Sequence, residues 1–101
     1  MSDAAIVGDR GLIAPLGALG IGLYFATGAE EARDGIAKAA ADGAKVIFIF
    51  EKLAKPIIEE IKDEIRTLVI LIPDNTGSSG LAERVMRGYM AKAIGTEEIF
   101  R

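Results

Sequence analysis

A chain of 101 residues is long enough for one domain with its own core and too short for two. Hydrophobic residues make up 50% and charged residues 27%, a globular composition that excludes a disordered chain. The net charge of -3, from 12 basic against 15 acidic residues, argues against a nucleic-acid surface, and the lack of Cys and His removes disulfides, thiolate metal sites, Cys nucleophiles and the commonest general base.

Ala4 to Gly8 reads as a first strand, closed by Gly8-Asp9. Arg10 to Gly20 is a connection with a short helix, Pro15 in its first turn, Leu16 and Leu19 as its apolar contacts and Gly20 at its end. Ile21 to Ala26 is a second strand centred on Leu23, Tyr24 and Phe25. The stretch from Gly11 to Ala29 carries no charge over 19 residues, the length of a membrane span. Gly11, Gly17, Gly20, Gly22, Gly28 and Pro15 break it into short pieces, and Asp3, Asp9 and a lone Arg10 make a poor signal-peptide start. It is therefore read as a connection and a buried strand, with no membrane insertion.

Thr27 and Glu30 have the spacing of a capping box and open a helix. Its apolar face is Ala29, Ala32, Ile36, Ala39 and Ala40, with Glu30, Glu31, Arg33, Asp34 and Lys38 mostly opposite. Gly35 inside it costs about 1 kcal/mol relative to Ala, and Gly43 is placed to end it. Lys45 to Phe50 is a third strand, Glu51 to Lys55 a single turn, and Pro56 starts a helix with Ile57, Ile58, Ile61 and Ile65 as its core stripe. Leu68 to Ile72 is an unbroken apolar run, the pattern of a strand buried on both faces, and Pro73 stops it. Strand and helix alternate throughout, so the expected fold class is α/β: a small four-stranded parallel sheet with helices on both faces, Rossmann-like or receiver-like.

Asp74 to Gly80 is all small or turn-forming, and Leu81 to Ile94 reads as one more helix. The chain thus divides into an α/β body over 1–73, a flexible linker over 74–80 and a C-terminal helical arm over 81–101. In that helix Leu81, Val85, Met86, Tyr89, Met90, Ala93 and Ile94 form an apolar stripe, with Glu83, Arg84, Arg87 and Lys92 as the charged remainder. Such a stripe packs on the sheet in many α/β domains. Met and Tyr are also residues that protein interfaces favour, and the linker permits an outward reach, so the stripe is the candidate partner interface.

Catalytic and ligand-binding patterns are weak by comparison. Asp9, Glu51 and Asp74 follow the first, third and fourth strands, the ends at which open parallel sheets bind ligands. Three acids there suggest a divalent-metal or phosphoacceptor cluster, as in receiver domains of two-component signalling. The match fails in detail, because a receiver needs Asp where this chain has Phe50-Glu51 and a fifth strand with Lys. Turn and cap duty is the simpler role for these acids. Gly8-Asp9-Arg10-Gly11 fits neither phosphate-loop spacing, and a Ser nucleophile within Thr76 to Gly80 would lack a His to activate it. No catalytic residue, cofactor-binding residue or metal ligand is assigned, and no cofactor is expected.

With these elements in place the chain resembles the F subunit of the V/A-type rotary ATPases along essentially its whole length. The likeness includes Gly8-Asp9-Arg10 after the first strand, Leu16-Gly17-Ala18-Leu19-Gly20 before the second, and Tyr24-Phe25-Ala26 followed by Glu30-Glu31-Ala32. It continues with Glu51-Lys52-Leu53-Ala54 after the third strand, where Phe50 replaces the family's Thr, and with Ile72-Pro73 before a polar loop and a final helix. The resemblance implies a non-catalytic central-stalk subunit of a proton- or sodium-translocating ATPase or ATP synthase. Its body would sit beside the shaft, and its arm would pack on the coiled coil of the D subunit toward the catalytic A/B head. It would help couple ATP turnover to rotation, in the cytoplasm and peripheral to the membrane. The competing class is an orphan receiver-like signalling domain, or a domain binding a small molecule or metal at the acidic strand ends.

Overall fold

Four strands, β1 (Ala4–Gly8), β2 (Gly22–Phe25), β3 (Val46–Phe50) and β4 (Leu68–Ile72), pair in parallel in the order β2-β1-β3-β4. The computed structural model describes residues 3–64 and 66–73 and, beyond them, only Arg84, Arg87 and Gly88. In the register, Ile6 sits between Leu23 of β2 and Phe48 of β3, and Ile49 lies between Val7 and Leu71. The connections are α1 (Arg10–Ile13) running into a 3-10 segment (Ala14–Leu19), then α2 (Ala29–Ala41), then α3 (Glu51–Ala54) with α4 (Ile58–Glu64).

The first connection steps from β1 out to β2, the second crosses back over β1 to β3, and the third continues to β4. Right-handed crossovers require that such a reversal of direction be matched by a change of face. The helices obey this rule. Ile13 of α1 and Leu16 of the 3-10 segment pack on one face with Ala4, Ile6, Phe48 and Phe50. Residues of α2, α3 and α4, namely Ala32, Ile36, Ala39, Ala54 and Ile61, pack on the other with Ala5, Val7, Ile47 and Ile49. Successive residues of β1 and β3 therefore feed two separate apolar layers. Among the described residues no polar or charged side chain is buried.

The α/β sheet with helices on both faces is as the alternation predicts, and β1 and β4 have the predicted limits. Other particulars differ. The α2 helix begins at Ala29, because Gly28 takes the N-cap in an extended conformation (φ -142°). The third helical position is then Glu31 and not Glu30. Its Oε1 accepts from the Thr27 backbone N–H at 2.8 Å and from the Thr27 hydroxyl at 3.0 Å. The N–H, and then the hydroxyl, hold the Glu31 carboxyl below its ordinary pKa. The other end is as predicted. Gly43 takes φ +99°, its N–H bonds to the Ala40 carbonyl at 3.1 Å, and the Ala44 N–H reaches the Ala39 carbonyl at 3.0 Å. This pair of bonds closes the helix and needs the left-handed backbone that glycine adopts without strain.

Pro15 opens the 3-10 segment, but a helical turn precedes it, because Asp9 caps α1 by accepting from the Gly11 N–H at 2.9 Å. Pro56 lies in the turn before α4, which starts at Ile58. Ile57 and Ile61 are buried and Ile58 is partly so; Ile65 lies outside the described residues. An ion pair at 2.9 Å joins Arg33 of α2 to Glu60 of α4, and with both side chains partly in solvent it adds little to stability.

The larger difference concerns the outer strands. The apolar run of β4 is not buried on both faces: Leu68 is 61% and Leu71 41% exposed, and only Ile72 is buried. Phe25, read as the centre of a strand, is 40% exposed. Both strands lie at sheet edges, where the helical layers taper off; a run of hydrophobic letters does not distinguish edge from centre.

Ile47, fully buried between β1 and β4, is the position where a charge is least tolerable. Ile47→Asp is expected to abolish cooperative thermal unfolding followed by circular dichroism, since an unpaired buried carboxylate costs several kcal/mol, comparable to a small domain's whole stability. Leu71→Asp, on the edge strand, is expected to keep the native spectrum with a lowered midpoint.

Candidate functional site

In a sheet of this kind the chain reverses direction between β1 and β3, and the crevice outside their carboxyl ends is where ligands enter. Here that position is filled. A Cβ on Gly8 would stand 3.1 Å from Cδ2 and Cε2 of Phe50 and 3.0 Å from Cγ2 of Ile13. Both side chains are buried, Phe50 at 5% exposure and Ile13 at 0%. The absent side chain of Gly8 is the space they use, so hydrocarbon occupies the ligand crevice.

The predicted acids fit this picture. Asp9 is committed to the α1 cap, and Glu51 is the exposed first residue of α3, near that helix's positive end. Asp74 lies outside the described residues. Among the described residues no group of three or more acids gathers as a metal site would require.

A cleft of about 240 Å³ opens at the other end of the sheet, lined by Ala4, Ala5, Gly22, Tyr24, Ala39, Asp42 and Ala44. Its two polar side chains face each other: the Tyr24 hydroxyl donates to Asp42 Oδ2 at 2.7 Å. The hydrogen bond to Asp42, then burial, then the Asp42 charge push the Tyr24 pKa up to about 12. A phenol held protonated so firmly is neither base nor nucleophile near neutrality. The remaining lining is alanine methyl and backbone, which makes the cleft a packing seam tied by one bond between β2 and the end of α2.

The described surface offers something different at the carboxyl ends of β1 and β2. The Arg10 guanidinium lies over the Phe25 ring, 4.0 Å from its centroid, and Leu12 of α1 is 41% exposed. Sequence reasoning missed this group because it took Phe25 for core. Phe25 shares the face of Leu23 but is the last residue of an outer strand, where the α1 layer no longer covers it, and no apolar pattern along the chain marks that position.

The predicted interface stripe, Leu81, Val85, Met86, Tyr89, Met90, Ala93 and Ile94, lies outside the described residues, as do the linker 74–80 and most of the arm. Arg84, Arg87 and Gly88 are helical and exposed. Their three- and four-residue spacing puts them on one helix face.

Comparison with known proteins gives a consistent result. The family described as ATP synthase (F/14-kDa) subunit matches residues 4–90. The chain is 36% identical to a V-type ATP synthase F subunit from Fusobacterium nucleatum over 96% of this chain and 95% of that protein. It is 38% identical to the V-type ATP synthase F subunit of Clostridium perfringens over 89% of each. It is 30% identical to the A-type ATP synthase F subunit of Methanothermobacter thermautotrophicus over 97% of each.

The Tyr24–Asp42 bond yields a pH dependence. The folded pKa, about 12, lies above the ordinary value of 10.0, so the protonated phenol stabilises the fold. That contribution is complete below pH 10 and fades as the pH rises toward 12. In urea titrations the stability gap between the wild type and Tyr24→Phe is expected to be constant from pH 7 to 9 and to shrink above pH 10; a gap that does not change with alkali would show that Asp42 does not hold the proton.

Proposed function

We propose a central-stalk role for this chain, which belongs to the ATP synthase (F/14-kDa) subunit family. It acts as the F subunit of a V/A-type rotary ATPase, a non-catalytic rotor component of the proton- or sodium-translocating machine. Its α/β body sits beside the shaft, and its C-terminal helix packs on the coiled-coil D subunit toward the A/B head. The contact helps couple ATP turnover to rotation. The working location is the cytoplasm, peripheral to the membrane within the complex; among the described residues no helix is long and apolar enough to cross a membrane.

The observation that carries the non-catalytic part is the crevice filled by Phe50 and Ile13 over Gly8. A fold that binds nucleotides elsewhere has here spent its ligand crevice on packing. No His or Cys exists to serve as base or nucleophile. The receiver-like alternative draws less support, since Asp9 is occupied as a helix cap and Phe50 precedes Glu51 where a phosphoacceptor would stand. What remains is surface, and a rotor subunit works through surface.

The test is retrieval and affinity. The tagged native chain is expected to copurify with the other ATPase subunits and to hydrolyse no ATP alone. A chain truncated after Gly80 is expected to stay folded yet bind the D subunit far more weakly in calorimetric titration. Met86→Ala with Tyr89→Ala is expected to weaken binding in the same direction, by about 2 kcal/mol or more if Tyr89 is an interface anchor. Unchanged affinity in both variants would contradict the arm assignment, and collapse of the truncated body would return the helix to the core.

A further inference from the structure

Arg10, Leu12 and Phe25 lie outside the two buried apolar clusters of the body. Leu12 and Phe25 are 41% and 40% exposed, while Ile13, next to Leu12, is fully buried. Arg10 follows the Asp9 cap, Leu12 lies in the single turn of α1, and Phe25 ends β2 opposite Gly8. The three therefore share one end of the sheet, on the side of α1.

Their chemistry is complementary to a particular surface. The guanidinium lies over the ring at 4.0 Å, which fixes a long side chain that would otherwise lose entropy on binding. No carboxylate pairs with Arg10 among the described residues, and its neighbour Asp9 is engaged with the Gly11 N–H. An immobilised guanidinium with free donors suits a bidentate carboxylate. The flanking Leu12 and Phe25 suit aliphatic side chains, and Arg and aromatic residues are the types enriched in interface centres. The chain as a whole is acidic at -3, and on the opposite face the first turns of α2 and α4 carry Glu30, Glu31, Glu59 and Glu60. Glu60 there is paired with Arg33 and Glu31 is held by Thr27, so the contrast is one of degree, and it favours the Arg10 end for an acidic partner. β2 is an outer strand, but Phe25 is its last residue, so a partner that reaches Arg10, Leu12 and Phe25 together makes its contact there through side chains.

The geometry points to the Arg10–Phe25 pair with Leu12 as a second docking point, which receives an acidic amphipathic helix of a neighbouring subunit. The inference rests on the stalk-subunit reading and adds a body contact to the arm. The occupant carries Asp or Glu one helical turn from aliphatic residues, so that its carboxylate meets Arg10 while its apolar side chains cover Phe25 and Leu12.

The experiment uses the full chain in the assembled ATPase, with a photo-crosslinking phenylalanine analogue at position 12. Illumination and peptide mapping are expected to join it to a helix of another subunit, with an acidic residue within one turn of the crosslink. In parallel, Arg10→Glu and Phe25→Ala are each expected to lower the affinity of the full chain for the remaining complex about tenfold, with Arg10→Lys in between. Arg10→Glu should leave the melting curve unchanged, whereas Phe25→Ala, at a side chain 40% exposed, should keep the native circular dichroism with a modestly lowered midpoint. A crosslink to the chain's own C-terminal segment, to a second copy or to nothing overturns the proposal, as does wild-type affinity in both variants. A wild-type chain that fails to enter the complex overturns the stalk reading as well, whereas assembly with undiminished variants overturns this surface alone.

Discussion

The body depends on β1 and β3 lying side by side and burying alternate side chains into two apolar layers. Ala5, Val7, Ile47 and Ile49 go one way, and Ala4, Ile6, Phe48 and Phe50 the other, all of them buried. With both faces dry, their backbone groups must be satisfied within the sheet, and two neighbours each, β2 and β3 for β1, β1 and β4 for β3, provide that. The chirality of the connections then decides which helix covers which face. The reversal of chain direction beside Gly8 and Phe50 follows from the same order.

That reversal is where the fold offers a ligand site and this sequence withdraws it. Phe50 and Ile13 close over the bare Cα of Gly8, so the same contact seals the layer under α1 and removes the crevice. The cleft at the other end is small, alanine-lined and tied by Tyr24 and Asp42. On the stalk-subunit proposal the working surface is the outside, where an arginine held on an aromatic ring stands beside an exposed leucine. This division suits a subunit that holds a shape and makes contacts within a rotating assembly.

Much of the fold was legible because its signals are local. The limits of β1 and β4 follow from apolar runs ended by Gly8 and Pro73, the Ala-rich face of α2 follows from its period, and Gly43 announces the helix end. The start of α2 was misplaced by one turn chemistry in competition with another: Gly28 displaced Thr27 as cap, and Glu31 took the role given to Glu30. The exposure of Leu68, Leu71 and Phe25 was not legible, because hydrophobicity records that a strand can be buried and not which place it holds in the sheet. The Arg10–Phe25 contact joins residues brought together only by the pairing of Gly8 with Phe25, a register that no spacing along the chain reveals.

The central claim is that a self-sufficient sheet carries its function on its surface. Amide hydrogen exchange, compared between the isolated chain and the chain within the assembled ATPase, tests it directly. The account predicts that amides of β1 and β3 exchange slowly in both states, while residues 9–13 and 25 gain further protection on assembly. Rapid exchange throughout β1 and β3 in the isolated chain, or assembly that leaves the strand-end surface as accessible as before, would contradict it.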